Sequence, residues 1–408
     1  MTVVFYGQEA PATVTKSIFL AGPSPRSFVV RSWRPEAIRI LEDLGYDGVV
    51  YVPENRFDLP PSRYFPYEAT LAWEEKYLNQ CDQIVFWIPR DMDTLPGLTT
   101  NAEWGYWRSS GKVVLGYPVT APHMRYQDTY AEKEGIPVFN DLRATLEETL
   151  KRIGDGAPRT GGERDVPLHI WTRPEFQTWY KAQIGAGNRL DEARVLWTFR
   201  VGKNKSKFFM WVIHVKIWIE SEQRFKSNEV LLQRPDIFAV VAYRPGQTNG
   251  DDYGYTKWDD IQEARDKFLN TEVVLVREFR SPAATEDCFI RELPGGSVLN
   301  GTLSDGDKAA EEFEEETGLA ISAERLNIVG TRQINGTLLT HSAHVVSVCL
   351  TSEEMLKLKY MKDIPHGIEV DTERTYVEIH TVREILAGGL VDWANVGMIM
   401  ETLMGVVL

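Results

Sequence analysis

Cysteine is scarce in this 408-residue chain: Cys81, Cys288 and Cys349 stand far apart in the sequence. Three separated thiols form neither a disulfide framework nor a zinc pattern, and they point to a reducing cytoplasm. Long apolar runs are also lacking. No stretch approaches the ~20 residues of a membrane-spanning helix. The opening Met1-Thr2-Val3-Val4-Phe5-Tyr6 has no basic segment of the kind that begins a secretory signal. Positive charge is in deficit, with 45 Lys and Arg against 59 Asp and Glu and a formal net charge of −14. That balance argues against general binding to nucleic acid or to an anionic membrane. No internal repeat is visible, and the length suggests two or three domains.

Glutamate is what the chain concentrates. Leu293-Pro294-Gly295-Gly296 is followed by Ala309-Ala310-Glu311-Glu312-Phe313-Glu314-Glu315-Glu316-Thr317-Gly318-Leu319. On a helix, Glu312, Glu315 and Glu316 share one face. Three like charges there repel, and a hard divalent cation such as Mg²⁺ or Mn²⁺ would relieve them. Gly-Gly ahead of the helix permits close approach of backbone to a ligand, and Gly318 ends the helix. The competing reading is a solvated acidic helix.

A Gly- and Pro-rich stretch, 154–167, reads as a linker. Before it, strand and helix patterns alternate: strands at Ser17–Ala21, Gly48–Val52, Gln83–Ile88 and Lys112–Gly116, helices at Trp33–Leu44, Leu71–Cys81, Asn101–Ser110 and Leu142–Ile153. The alternation predicts an α/β parallel sheet, flavodoxin-like, with ligands at the carboxyl ends of the strands. After the linker, two helices are expected near Pro174–Gln183 and Asp191–Leu196. A strand follows at Phe208–Glu220. Further strands are read at Ile237–Tyr243, Glu272–Arg277, Asn327–Gly330, Val345–Leu350 and Tyr376–His380, with helices at Val382–Ala387 and Trp393–Met404. Mixed strands around one functional helix read as α+β.

The glutamate segment resembles the Nudix box, G-x5-E-x7-R-E-U-x-E-E-x-G-U, where U is a bulky apolar residue. It matches at Glu312, Phe313, Glu315, Glu316, Gly318 and Leu319. Glu311 stands where the family has Arg, and Thr302 or Leu303 stands where it has its first Glu. Val276-Arg277-Glu278-Phe279-Arg280-Ser281-Pro282 and Arg291-Glu292-Leu293-Pro294-Gly295-Gly296 are similar to the ADP-ribose pyrophosphatase type. The resemblance implies an α+β Nudix sandwich over residues 168–408 with an N-terminal extension. It also implies Mg²⁺ (or Mn²⁺) held by Glu292, Glu312, Glu315 and Glu316, with Glu315 and Glu316 catalytic. Arg277 and Arg280 would clamp phosphates, and Glu369, Glu373 or Glu378 would serve as base.

The first 153 residues carry a second constellation. Phe19-Leu20-Ala21-Gly22-Pro23 runs from a strand into a tight turn, and Trp87-Ile88-Pro89-Arg90-Asp91 ends another strand. Leu95-Pro96-Gly97-Leu98-Thr99-Thr100-Asn101-Ala102-Glu103-Trp104-Gly105 enters a helix. With Ser32-Trp33-Arg34-Pro35-Glu36 and Trp73-Glu74, these segments resemble the nucleoside 2-deoxyribosyltransferase-like family. The resemblance implies Glu103 as the nucleophile at an anomeric carbon, chemistry that suits a carboxylate facing an oxocarbenium-like transition state. Glu74 would contact the base. Gly22, Thr99, Thr100 and Asn101 would hold the sugar or a phosphate, and Arg26 and Arg34 are placed in sequence to reach a phosphate.

The combined expectation is an enzyme that cleaves or transfers an N-glycosidic bond and, with Mg²⁺, hydrolyses a nucleoside diphosphate linkage. Its partner would be a small-molecule nucleotide, and both families imply a homo-oligomer. NAD or ADP-ribose turnover, and a nucleotide sensor with a non-catalytic Nudix domain, are the alternative readings.

Overall fold

The computed structural model describes residues 1–25, 29–57, 66–202, 205, 207–246, 257–297, 305–367, 373–389 and 391–406. The chain divides into two compact units, Met1–Arg234 and Pro235–Leu408.

In the first unit the elements run β1 (Thr2–Phe5), β2 (Thr13–Val14), β3 (Ser17–Ala21), α1 (Arg34–Asp43), β4 (Val49–Val52), α2 (Tyr67–Gln80), β5 (Gln83–Trp87), α3 (Leu98–Trp107), β6 (Val113–Gly116), α4 (Arg125–Glu134), β7 (Val138–Phe139), α5 (Leu142–Ile153), β8 (Arg159–Thr160), α6 (Leu168–Trp171), α7 (Pro174–Gly185), β9 (Arg189–Val201), β10 (Lys207–Ile219) and β11 (Arg224–Gln233). Six strands form a parallel sheet in the order β1-β4-β3-β5-β6-β7. Counted from β3, the central order is 2-1-3-4-5, with a topological switch point between β3 and β5. β3, β4, β5 and β6 are buried along their whole length, as strands covered on both faces must be. The pleat sends Ile18 and Leu20 into a core shared with α1 and α5, while Phe19 and Ala21 join Trp73, Tyr77 and Trp104 on the opposite face.

β9, β10 and β11 form a separate antiparallel sheet. Ile213, Val215 and Ile217 of β10 belong to the same core as α1 and α5. The helix expected at Asp191–Leu196 is therefore a strand. Its Asp-Glu-Ala-Arg composition favours a helix locally, but Val195, Trp197 and Phe199 find partners across β10, and tertiary pairing overrides weak propensity.

The stretch expected to be a linker, 154–167, is packed inside the first unit, and the division between units falls instead at Arg234 and Pro235. Its β8 pairs with β2. Arg159 is fully buried and makes a two-pronged ion pair with Asp82, at 2.8 and 2.7 Å. Asp82 also accepts from the backbone N–H groups of Ser17 and Leu168. Glycine and proline here mark tight turns rather than a free tether.

The second unit contains β12 (Ile237–Arg244), α8 (Lys257–Leu269), β13 (Glu272–Phe279), β14 (Phe289–Glu292), α9 (Asp305–Thr317), β15 (Asn327–Gln333), β16 (Ser342–Cys349), α10 (Ser352–Met361), β17 (Thr375–Thr381), α11 (Val382–Gly388) and α12 (Trp393–Val406). The sheet is mixed: β12 and β16 are parallel, while β13 pairs antiparallel with β12, β14 and β17. Ala309 and Phe313 bury α9 against one face, with α10 beside it. Phe268, Val382, Ile385, Ile399 and Leu403 bring α8, α11 and α12 onto the other. The arrangement is α+β. Among the described residues no helix is long and apolar enough to cross a membrane.

Candidate active site

The switch point of the parallel sheet is where the first unit gathers its chemistry. β3 ends at Gly22, whose φ of +148° lies in the range that favours glycine. A side chain there would collide with the Trp87 carbonyl, so Gly22 is what lets β3 and β5 close on each other. The Gly22 carbonyl accepts from Nη2 of Arg34 at 2.8 Å. Arg34 is fully buried and donates also to the Leu20 carbonyl, the Ser24 hydroxyl and Glu54. It is thus an internal clamp on the β3 turn rather than a surface cation. Arg26 lies outside the described residues.

β5 leads through a turn to Gly97, whose left-handed φ of +63° opens α3. The helix begins at Leu98, three residues earlier than expected, so Thr99, Thr100 and Asn101 occupy its first turn. No side chain caps it. Thr100 is buried, and the Asn101 carbonyl oxygen accepts from Arg90 at 2.5 Å and from Gln127 at 2.8 Å. Asn101 therefore fixes the strand exit against α4.

Glu103 sits one turn further along α3, partly buried. Burial, the nearby Glu74 carboxylate on α2 and, in opposition, Arg34 together raise it to about 8. Glu74 is raised to about 7 by burial, again opposed by Arg34. The structure thus brings Glu103, Glu74 and Arg34 within electrostatic reach of one another, from three helices that each follow a strand. Two neighbouring carboxyls resist ionising together, so over an interval of pH one is a carboxylate while the other holds a proton. That is the equipment for nucleophilic attack with proton donation.

Two further charged residues border this site, Glu54 on Arg34 and Arg90 on Asn101; the sequence motifs include Arg90 without a role and do not include Glu54. Both follow carboxyl ends of strands, in Pro53-Glu54-Asn55 and Pro89-Arg90, and that position is the signal that would have found them.

In the second unit, Gly295 N–H donates to Glu316 at 2.8 Å. A Cβ at Gly295 would collide with the Phe238 backbone carbonyl, so glycine is required there, whereas at Gly296 it would meet only the movable carboxylate of Glu312. Glu316 is buried, and burial pushes its carboxyl well above the usual range, helped by Glu292, Glu312 and Glu278 and opposed by the Gly295 N–H. Glu312 is raised to about 7 by burial and then by Glu315, Glu373 and Glu311. Glu315 is exposed on α9.

The remaining expected residues are engaged with one another. Arg280 bridges Glu278 at 2.8 Å and Glu292 at 2.9 Å. Arg277 and Arg291 each hold Glu378 at 3.0 Å, and His380 lies 2.9 Å from it. Hydrogen bonds from His380 and Arg291 hold Glu378 down to about 2, so it is a poor base. Glu369, Thr302 and Leu303 lie outside the described residues.

Hard carboxylate oxygen suits Mg²⁺ in kind. As arranged, however, no three His, Cys, Asp or Glu side chains among the described residues are set to hold a metal ion. A sizeable cleft between β15, β16 and α12, which includes Trp393 and Met398, contains none of these glutamates. Its charged lining residues, Arg332 and Glu401, pair with each other at 2.6 Å.

No curated protein matches the chain. Residues 15–120, which span Gly22, Arg34, Glu74 and Glu103, match the model of the family described as nucleoside 2-deoxyribosyltransferase like, and the match supports a domain of that kind in the first unit.

Proposed function

We propose that the first unit breaks or transfers the N-glycosidic bond of a nucleoside or nucleotide, with Glu103 as the nucleophile. The observation that carries this reading is the pairing of Glu103 with Glu74 beside the buried Arg34. The Glu103 carboxylate attacks the anomeric carbon, and the electron pair of the C–N bond leaves with the base. The pair's remaining proton rests first on Glu103, the higher of the two; it must pass to Glu74 before attack, and from Glu74 it goes to the departing base. Arg34 favours the ionised form of both carboxyls and so eases loss of the pair's first proton. The glycosyl ester on Glu103 then passes to water or to a second base, which regenerates the carboxylate. Incubation with a panel of nucleosides and 5′-nucleotides, with products identified by mass, tests it. Wild type releases free base and Glu103→Ala does not. Equal release by both would sink the assignment.

A second reading keeps Mg²⁺-dependent hydrolysis of a diphosphate linkage for the second unit. It is favoured by Glu316 held on the Gly295 N–H and by Glu312 packed against Gly296. The Arg280 guanidinium already neutralises Glu292, leaving Glu312, Glu315 and Glu316 as the carboxylates that would hold the ion. The test is thermal unfolding with and without Mg²⁺, for wild type and Glu316→Gln. A cation response absent from both would end this reading.

A further inference from the structure

One guanidinium serves three carboxyls on the carboxyl-end side of the parallel sheet. Arg34 opens α1 after β3, Glu54 follows β4, and Glu74 and Glu103 stand on α2 and α3. Arg34 is fully buried. Its Nε donates to the Leu20 carbonyl at 3.0 Å and Nη2 to the Gly22 carbonyl at 2.8 Å. Its Nη1 donates to the Ser24 hydroxyl at 3.1 Å and to Glu54 at 2.5 Å. The Trp33 ring lies 4.8 Å from Cζ, and the indole N–H donates to the Pro23 carbonyl. The fork is therefore spent inside the fold and fixed on the β3 turn.

Of these partners only Glu54 is charged. Among the described residues it is the one carboxylate at ion-pair distance from Arg34, and its side chain is 10% exposed. Glu74 and Glu103 feel Arg34 across space. Among the described residues the charged groups that bear on the pair are Arg34 from α1 and, on Glu103, Glu74 from α2. Glu54 does not bear on either directly, so its route to the pair runs through Arg34. Charge balance gives the direction. With Glu54 ionised, Arg34 is already neutralised, and a second negative charge on the pair meets no further cation among the described residues. The pair then keeps one proton near neutrality. With Glu54 uncharged, Arg34 becomes a buried cation that the pair alone can neutralise, and an unpaired buried charge is costly. Both carboxyls then ionise more readily, and the proton that a departing base needs is lost.

We propose that Glu54 is a positioning residue: paired with Arg34, it holds the guanidinium on the β3 turn and takes up much of its charge, and so sets how far the Glu103–Glu74 pair keeps its shared proton as pH rises. The catalytic consequence rests on the glycosidic reading; the charge coupling rests only on the ion pair.

Two measurements on the full chain separate these. The first is the pH profile of base release, with the nucleoside or 5′-nucleotide of the panel that wild type cleaves fastest. Glu54→Gln keeps an acceptor for Nη1 and removes the charge. Both limbs of its profile should move roughly one pH unit to the acid side. The variant is then roughly tenfold slower than wild type on the alkaline limb and faster on the acid limb. A residue that serves only packing would lower the rate at every pH and leave the limbs in place. Ser24→Ala removes a neutral partner of the same Nη1 and should leave both limbs unmoved. Glu54→Asp draws the carboxylate back by one methylene and should move both limbs the same way by less, which keeps the test open where Glu54→Gln does not fold. The second measurement needs no catalysis. Thermal unfolding at pH 8.5 and constant ionic strength gives the gain from Glu103→Gln in the wild-type and Glu54→Gln backgrounds. That gain should be roughly a third smaller without the Glu54 charge, because Glu103 is then easier to ionise. If the gain shrinks while wild type releases no base, the charge coupling stands and the glycosidic reading falls. Limbs that stay in place in both Glu54 variants, or a gain of equal size in both backgrounds, overturn the proposal.

Discussion

Glu103→Gln should stabilise the protein, and do so only as pH rises. The Glu103 carboxyl is raised from an ordinary 4.5 to about 8 by burial and by Glu74. Between those values the folded chain holds a proton that the unfolded chain has released. Stability therefore falls as pH climbs from about 4.5 to about 8 and is level above that. A shift of about 3.5 units corresponds to a ceiling of ~5 kcal/mol at ~1.4 kcal/mol per unit. Glu103 is only partly buried, and water and its neighbours relax when it ionises, so about 2 kcal/mol is the working figure. At 2–4 °C per kcal/mol for a unit of this size, Glu103→Gln should unfold roughly 4–8 °C above wild type at pH 8.5. At pH 4 the two should coincide, since both states of the wild type are protonated there. The assay is thermal unfolding at constant ionic strength across pH 4–9. A gap that does not widen with pH, or a variant less stable than wild type at pH 8.5, would refute the buried-carboxyl reasoning.

Base release should follow a bell in pH, rising as the Glu103–Glu74 pair loses its first proton and falling as it loses the second, near neutrality and slightly above. In Glu74→Gln the like charge is gone, so the acid limb should move to lower pH and the maximal rate should fall; an unmoved limb would separate the two carboxyls. Arg34→Met strands Glu54 inside the fold and should cost about 3–5 kcal/mol in chemical denaturation, whereas a loss under 1 kcal/mol would make Arg34 a surface-like residue. Glu316→Gln keeps an acceptor for the Gly295 N–H and should leave thermal stability at pH 8 equal or higher. Glu316→Ala leaves that N–H unpaired and should lose about 1–3 kcal/mol; the same loss in Glu316→Gln would mean that the carboxylate is ionised in the fold.

Much of the fold could be read locally. β3, β5 and β6 are short apolar runs set between helical patterns, and that alternation predicts a parallel sheet with Gly22 at a strand exit, while Glu103 is singled out by the family resemblance alone. The polar α4 escaped notice because only Gln127 and Ala131 are buried on it, which leaves almost no apolar stripe. The helical pattern at Asp191–Leu196 hides β9, whose strand character comes from pairing with β10, a contact between residues such as Trp197 and Val212. Arg159 sat in what looked like a linker because nothing nearby in sequence announces Asp82 as its partner.

The sequence by itself determined which residue types were available and where strands and helices would bring them. It supplied the Gly-Pro turn after β3, the Glu on α3, the glutamates of α9 behind Gly-Gly, and an excess of acidic over basic residues. Tertiary structure decided what those groups can do. It buried Arg34 as a clamp, set Glu74 near Glu103, and engaged Arg277 and Arg280 with carboxylates. Protonation and pairing depend on burial and on neighbours across space, and neither is written in the order of residues along the chain.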